Sequence, residues 1–551
     1  MSSRAPATAV RMSSPGDART FLIGLALLAV TVAPIWIGTV FPSQDGPVHV
    51  YISDVLRQYA GSAYLQNYFA LNWHIEPNLL IYPILYALEH FFDGPTSEKL
   101  LLIFIGGAFF AAAVYAVRSF RRDATWLAVL FLPATYLHPA YSGFYNYTAS
   151  LSGFLFGLGY WFRHRHSLNG VRILPFAGIA FLVALIHLMG FVLLAFTILV
   201  TSSVMAWLTR EDRSVACFVR SSIWLALAFL PALLLMLDFF VRYGISSPGT
   251  GESVDRLRLA RQLVTMSVLY LFHEVEVLWN MPLVVSLVYL GFLSRRTLWK
   301  RPAALGLLAA MGGLVVIYFA GPVTTRDVPI HDRILPVLFL IAILTLAACY
   351  RPELTRRYLA VAVVGAAVTV ASSASRAWHH ARIDHYARDY LSLAAEIEPG
   401  STLIAFHEWR HNQLIGSERL SWRVDPFRHM PAVLALGKET AFLGASLLSR
   451  ERYGYFPVYY REDIDLFSPA GDWYDLRDYD RIKSRHVDYI VLWPVINDNL
   501  KPLTDIIEQM AQDYKPIAKS RPLGLAHLYR HRLAKTDGGD ETDRLPEPGD
   551  D

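Results

Sequence analysis

Apolar runs long enough to cross a bilayer recur along the first two thirds of the chain, separated by short polar segments. A hydrocarbon layer of ~30 Å is spanned by about 20 predominantly apolar residues in a helix, and by somewhat fewer at the lower limit. Stretches that meet this demand lie at 21–40, 98–117, 124–140, 142–162, 173–187, 189–208, 221–241, 265–293, 303–320, 334–349 and 358–374. They predict about eleven transmembrane helices. Arg4, Arg11 and Arg19 precede the first run, which ends in Phe41-Pro42 without a small-residue cleavage site. It reads as a retained helix, not a removed signal. A further apolar segment, 78–92, is short and carries Pro83 and Glu89.

Charge decides whether that segment spans. If it does not, and the N-terminus is cytoplasmic, five short cytoplasmic loops hold 16 basic residues, among them Arg118, Arg121, Arg122, Arg163, Arg165, Arg295, Arg296, Arg356 and Arg357. The opposite side has Arg57, four basic residues between Arg242 and Arg261, and Arg326 with Arg333. Making 78–92 a span would move most of the arginine clusters outside, against the positive-inside bias. The segment is therefore expected as an interfacial or re-entrant helix in a first external loop, 42–97. An odd number of spans then places the C-terminal part outside, in the periplasm of a Gram-negative cell.

From about Ser375 the apolar runs stop. A helix-like stretch, Tyr386 to Ile397, ends at Pro399-Gly400. Thr402–Phe406, Asp488–Trp493 and Leu525–Tyr529 read as strands, and Asp505–Tyr514 as a helix. The expectation is a transmembrane domain over 1–374, a soluble periplasmic α/β domain over 375–534, and a disordered acidic tail over 535–551.

Composition agrees with a membrane protein: 54% of residues are hydrophobic and 17% charged, and the mean hydropathy is positive. A soluble domain averages about 25% charged residues. The net charge of +4 is too small to imply nucleic acid as a partner. Only 8 of 50 basic residues are lysines, an arginine bias pointing to a bacterial source. The two cysteines, Cys217 and Cys349, both fall near the cytoplasmic face, where a disulfide would not persist.

Five polar clusters fall on the external face. Asp45-Gly46-Pro47-Val48-His49 follows the first helix, with Asp54 and Arg57 further on. Asp45 before Pro47 looks like a helix N-cap; alternatively it is a carboxylate held at the membrane surface to accept a proton from an incoming hydroxyl. His74 and Glu76 lead into the interfacial helix. His138 through Tyr147 is aromatic and polar, much of it in keeping with an interfacial tyrosine belt. His187 at an external turn reads as a packing histidine. His273-Glu274-Val275-Glu276 lies at the external end of the 265–293 run, where ionisable groups face a cavity or each other. Arg326-Asp327 and His331-Asp332-Arg333 precede the tenth helix. Arg333 suits either an ion pair with Asp332 or Asp327, or a lipid phosphate held by its bidentate fork.

This layout resembles the GT-C glycosyltransferases, the polyprenyl-phosphate-sugar-dependent enzymes related to protein mannosyltransferases and the lipid A aminoarabinose transferase. Gln44-Asp45-Gly46-Pro47-x-His49 and His331-Asp332-Arg333-x-Leu335-Pro336 look like the corresponding family regions. The resemblance implies a sugar transferred from a polyprenyl-phosphate donor to an envelope glycan, lipid or protein acceptor at the periplasmic side of the inner membrane. It implies Asp45 as the catalytic carboxylate and Arg333 at the donor phosphate. His49, Asp54, His74, Glu76, His273, Glu274, His331 and Asp332 are the other expected substrate-binding residues. Several relatives carry paired acids in the first loop, whereas here Asp45 is followed by Gly-Pro. A divalent metal ion is thus a possible cofactor but not a required one.

Two competing readings remain. His407-Glu408-x-x-His411 matches the zinc-hydrolase pattern in which histidines one helical turn apart bind zinc and the glutamate acts as base, with Glu439 or His429 as third ligand. It abuts a predicted strand instead of lying inside an apolar helix. Asp463-x-Asp465, with Asp472 and Asp475, could hold a metal but fits a solvated acidic face better. A non-enzymatic transporter or assembly protein is the other alternative. Inverted repeats are not apparent, and the charges cluster externally, not at the bilayer midplane where transporter sites lie.

Overall fold

The computed structural model describes residues 15–168, 170–208, 215–244, 255–321, 324–325, 328–407, 414–415, 418–465, 485–493 and 510–534. Arg326, Asp327, Glu408, His411, Asp472, Asp475 and the 535–551 tail lie outside them.

Helices occupy all or most of ten of the eleven predicted stretches; in 265–293 the α-helix begins only at Val277, after the 3-10 turns Ser267–Leu269 and Glu274–Glu276. Among the described residues seven helices are long and apolar enough to cross a membrane, from Gly94–Phe120 to the segment Pro352–Glu396. Phe21–Trp36 and Gly170–Ile186 are shorter apolar helices, and Tyr145–His164 forms a 20-residue helix between them. The stretch at 124–140 departs from expectation: it winds as a 13-residue 3-10 segment, Arg122–Ala134, with Pro133 near its end. This segment is the central strut of the bundle, packed against the first helix, Gly94–Phe120, His331–Ala348 and the last helix. The 78–92 segment holds an eight-residue helix, Ile81–Leu88, at most about 12 Å long at 1.5 Å per residue and so unable to span. It packs on the helix Gly46–Tyr59 of the first loop.

The two ends of the bundle differ in chemistry. At one end Arg121 lies 5.7 Å over the ring of Tyr350, which packs on Tyr358. At the other end the first loop meets the C-terminal domain. The last helix, Thr355–Leu391, has 37 residues, about 55 Å at 1.5 Å per residue, and therefore runs past the hydrocarbon layer into that domain. The stretch from Tyr386 is its continuation and not a separate helix.

The C-terminal domain is built on a five-stranded mixed sheet. Its strand order is Tyr514–Lys519, His527–His531, Tyr489–Trp493, Thr402–His407 and Ala441–Phe442. The first two neighbouring pairs are antiparallel and the last two parallel. Tyr489–Trp493 is buried at every position, as a strand covered on both faces requires. Tyr514, expected to close a helix, opens a strand.

Asp389, fully buried near the end of the long helix, ties the sheet to it. Its carboxylate accepts hydrogen bonds from Ser520 Oγ (2.5 Å) and from the backbone N–H groups of Leu523 (2.5 Å), Gly524 (3.2 Å) and Leu525 (3.3 Å). A hydrogen bond to a charged group contributes about 1.5–3 kcal/mol, so Asp389→Ala is expected to destabilise the domain by several such increments. A lowered thermal unfolding midpoint of the detergent-solubilised chain checks this; an unchanged midpoint would rule out the tie.

The first loop and the C-terminal domain are interlocked. Phe69–Leu71 pairs antiparallel with Val458–Tyr460. The Tyr51 hydroxyl donates to the carbonyl of Thr440 (2.8 Å) and accepts from the N–H of Phe442 (2.8 Å), so a helix side chain completes the hydrogen bonding of the sheet's edge strand.

Candidate active site

Asp45 occupies the N-cap position of the Gly46–Tyr59 helix, with Pro47 in its first turn, but its carboxylate makes no capping hydrogen bond. The capping role that the local sequence allows is not the one the side chain takes. Its Oδ1 instead lies 3.5 Å from His429 Nε2 of the C-terminal domain and 3.4 Å from Gln44 Nε2. Asp45 is 7% exposed. Burial pushes its carboxyl up to about 6, opposed by the nearby Arg428 guanidinium and the Gln44 hydrogen bond, and aided by Asp425.

Backbone approach makes this placement possible. Gly143, at φ +84°, lies so close that a Cβ there would meet Asp45 Cβ at 2.7 Å and the amide nitrogens of Asp45 and Gly46 at 2.8 Å. A Cβ at Gly46 would clash with Ser43, Glu98 and Tyr145. These three form a buried network: the Ser43 hydroxyl donates to Glu98 (3.1 Å), and the Tyr145 hydroxyl donates to Glu98 and lies 2.8 Å from Ser43 Oγ. One helical turn on, His49 Nδ1 is 2.8 Å from the Tyr82 hydroxyl. Burial lowers the His49 imidazole to about 4, so it is neutral at physiological pH.

The segment from Leu137 to Tyr147 forms the wall behind Asp45. The Tyr141 carbonyl accepts from the Gln44 N–H (2.8 Å). On its other side, Phe144 and Tyr147 box in Arg333, whose guanidinium lies 4.5 Å over the Phe144 ring and 5.6 Å from that of Tyr147. Arg333 is 3% exposed. His331 packs edge-on against Tyr318 at 5.1 Å. Asp332 faces outward, 3.2 Å from Arg423 and 3.6 Å from His138.

Those last three residues line a cavity of about 540 Å³ between the bundle and the C-terminal domain. Its rim carries Arg258 and Arg261, exposed and one turn apart on the helix Arg256–Val264. Tyr270 and Trp422 stack at 5.5 Å along one side. Three arginines against one carboxylate, itself paired with Arg423, leave the cavity an excess of positive charge.

The other expected residues separate from this centre. Asp54, about two and a half turns along the helix from Asp45, accepts from Arg57 (2.5 Å), Gln58 (2.7 Å) and the Gly437 N–H (2.8 Å), and so fastens the C-terminal domain. Glu76 is fully buried, accepts from the Tyr243 hydroxyl (2.9 Å) and is held above the usual carboxyl range by burial. His74 is exposed beside it. His273 and Glu274 are exposed; the buried carboxylate of that cluster is Glu276, which accepts from the Leu271 N–H (2.6 Å) and Ser375 Oγ (2.8 Å). Glu439 accepts from Ser62 (2.5 Å) and His429 faces Asp45, so neither is gathered for zinc. Among the described residues no group of three or more His, Cys, Asp or Glu is arranged to hold a metal ion.

Sequence reading missed Glu98, Arg258, Arg261 and Arg423, and named His429 only as a possible zinc ligand. Only the arginine pair left a signal, as cations three apart on the side where basic residues are scarce.

Neither a protein-family model nor a curated protein matches the sequence. The fold does have a solved counterpart: the crystal structure of ArnT from Cupriavidus metallidurans in the apo state. The likeness covers 94% of this chain and 98% of that one, with a TM-score of 0.57 at 12% identity. The chain therefore shares the fold of that structure, a polytopic helical membrane domain carrying a C-terminal α/β domain.

Proposed function

We propose that this chain is a membrane glycosyltransferase that moves a sugar from a polyprenyl-phosphate donor to a hydroxyl acceptor outside the cytoplasm. The observation that carries the reading is Asp45: a buried carboxylate at a helix start, relieved of capping, between the first loop and the domain above it. With the arginine-rich loops cytoplasmic, this site lies on the periplasmic side of a bacterial inner membrane. The ArnT-like fold supports the reading.

In the proposed reaction the acceptor oxygen attacks the anomeric carbon while its proton passes to Asp45. The bond from that carbon to the phosphate oxygen breaks, and polyprenyl phosphate leaves with the electron pair. Arg258, Arg261 and Arg423 stabilise the phosphate charge in the cavity, as guanidinium forks do for phosphate. Arg333, enclosed by Phe144 and Tyr147, holds the wall between cavity and base. His49 and Tyr82 orient groups at the base. Asp54 fastens the domain above the base through the Gly437 N–H.

A base must be ionised to accept the proton. Asp45, raised to about 6, is half protonated near pH 6, so kcat/KM is expected to fall with decreasing pH through about 6 instead of through the ~3.9 of an ordinary aspartate. A pH–rate profile in proteoliposomes, with polyprenyl-phosphate sugars as donors and polyprenyl phosphate release as readout, tests this. An acid limb at pH 4 would remove Asp45 as the base.

A further inference from the structure

Among the described residues, the C-terminal-domain side chain within 4 Å of the buried Asp45 carboxylate is His429. We infer that His429 is a positioning residue for Asp45, so that the soluble domain is a working part of the site and not a cover over it. The inference rests on the proposed transferase reading for its catalytic meaning.

The geometry is specific. His429 is 4% exposed and its Nε2, which makes no hydrogen bond to Asp45 here, lies 3.5 Å from Asp45 Oδ1, close enough to tighten to one when substrate binds. The turn that carries it is fixed on both sides. The His429 carbonyl accepts from the Ala432 N–H (3.0 Å), opening the turn Pro431–Leu434, which packs on the Gly46–Tyr59 helix. Two residues earlier Phe427 stacks on Trp493 of the central sheet at 4.2 Å. Since Asp45 makes no capping bond, its orientation must come from outside its own helix, and His429 and Gln44 are the groups in place to set it.

Several charged and titratable groups face Asp45. Arg428, Asp425 and His429 come from the C-terminal domain, and Tyr82, Tyr145 and Glu98 from the bundle and first loop. Arg428 supplies positive charge at longer range, while His429 is the only ring nitrogen that the described residues bring within 4 Å of the carboxylate. An imidazole N–H that closes onto Oδ1 favours the ionised carboxylate. Removing it should raise the pH at which Asp45 takes up a proton.

The test reads Asp45 directly and needs no known acceptor. The full-length protein in detergent is labelled with dicyclohexylcarbodiimide, which attacks protonated buried carboxyls, from pH 4.5 to 8, and Asp45 labelling is followed by peptide mass spectrometry. His429→Phe keeps the ring and removes the nitrogens; His429→Gln restores a side-chain N–H donor. The inference expects the labelling midpoint to move up by about half a pH unit or more in His429→Phe, and to return toward the wild-type value in His429→Gln. An unmoved midpoint in a folded His429→Phe overturns it, as does an equal shift in both variants. If His429→Phe fails to fold, His429→Asn, one atom too short to make the same contact, takes its place with the same expectation. Activity retained by Asp45→Asn would instead overturn the transferase reading and leave the midpoint result intact, so the two failures are distinct.

Discussion

Asp45→Asn is expected to lower sugar transfer by about 10²–10⁴-fold, the contribution of a positioned general base. Asparagine matches the shape of aspartate and can keep the contacts to Gln44 and His429, but it cannot accept the acceptor's proton. Helix stability should not suffer, because the native carboxylate makes no capping bond to lose. The thermal unfolding midpoint should therefore stay at the wild-type value while turnover disappears. Transfer within tenfold of wild type would exclude Asp45 as the base. Asp54→Asn supplies the contrast: it weakens a carboxylate that holds Arg57, Gln58 and Gly437, so its effect should fall on domain docking before chemistry.

The second large effect is expected from the cavity rim. Removing both exposed guanidiniums in Arg258→Ala/Arg261→Ala should raise KM for the lipid-linked donor by about tenfold per arginine, the lower end of the range for hydrogen bonds to charged groups. The turnover number at saturation should change much less. Lysine at both positions should recover part of the loss, since it restores charge without the planar fork. Affinity for undecaprenyl phosphate, measured by native mass spectrometry, should fall in parallel and should show a weaker dependence on salt. A normal KM in the double variant, with a large rise in Arg333→Gln, would move the phosphate from the cavity to Arg333. Arg333 is 3% exposed beneath two aromatic rings, so Arg333→Gln is expected to cost stability first.

Much of the membrane architecture is legible in sequence because it follows from one local quantity, the length of an apolar run. The arginine asymmetry then argues against a span at 78–92, and the eight-residue helix there agrees. Periodicity also finds three of the five strands in the C-terminal sheet. Pairing across long sequence separations is where local reading stops. Nothing around residue 45 reveals that its partner is residue 429, and nothing around 274 and 276 says which glutamate turns inward. The capping signal at Asp45 is a further case: the sequence pattern of an N-cap is present, but tertiary contact redirects the side chain. The winding of Arg122–Ala134 is similarly set by the four helices packed around it, against an apolar pattern that reads as an ordinary span.

The contact between Tyr51 and Thr440 joins residues 389 positions apart. At about 5–20 residues per second, a ribosome needs roughly 20–80 s to bridge that interval. Throughout this time the first loop has an unmatched strand, Phe69–Leu71, and a tyrosine hydroxyl awaiting a sheet edge. The contact of His429 with Asp45 can form only after the chain has been made past residue 429 and the C-terminal domain has folded. On the proposed reading, a nascent chain stalled or cleaved before that point would be inserted but inert, and no partly synthesised copy would consume lipid-linked sugar.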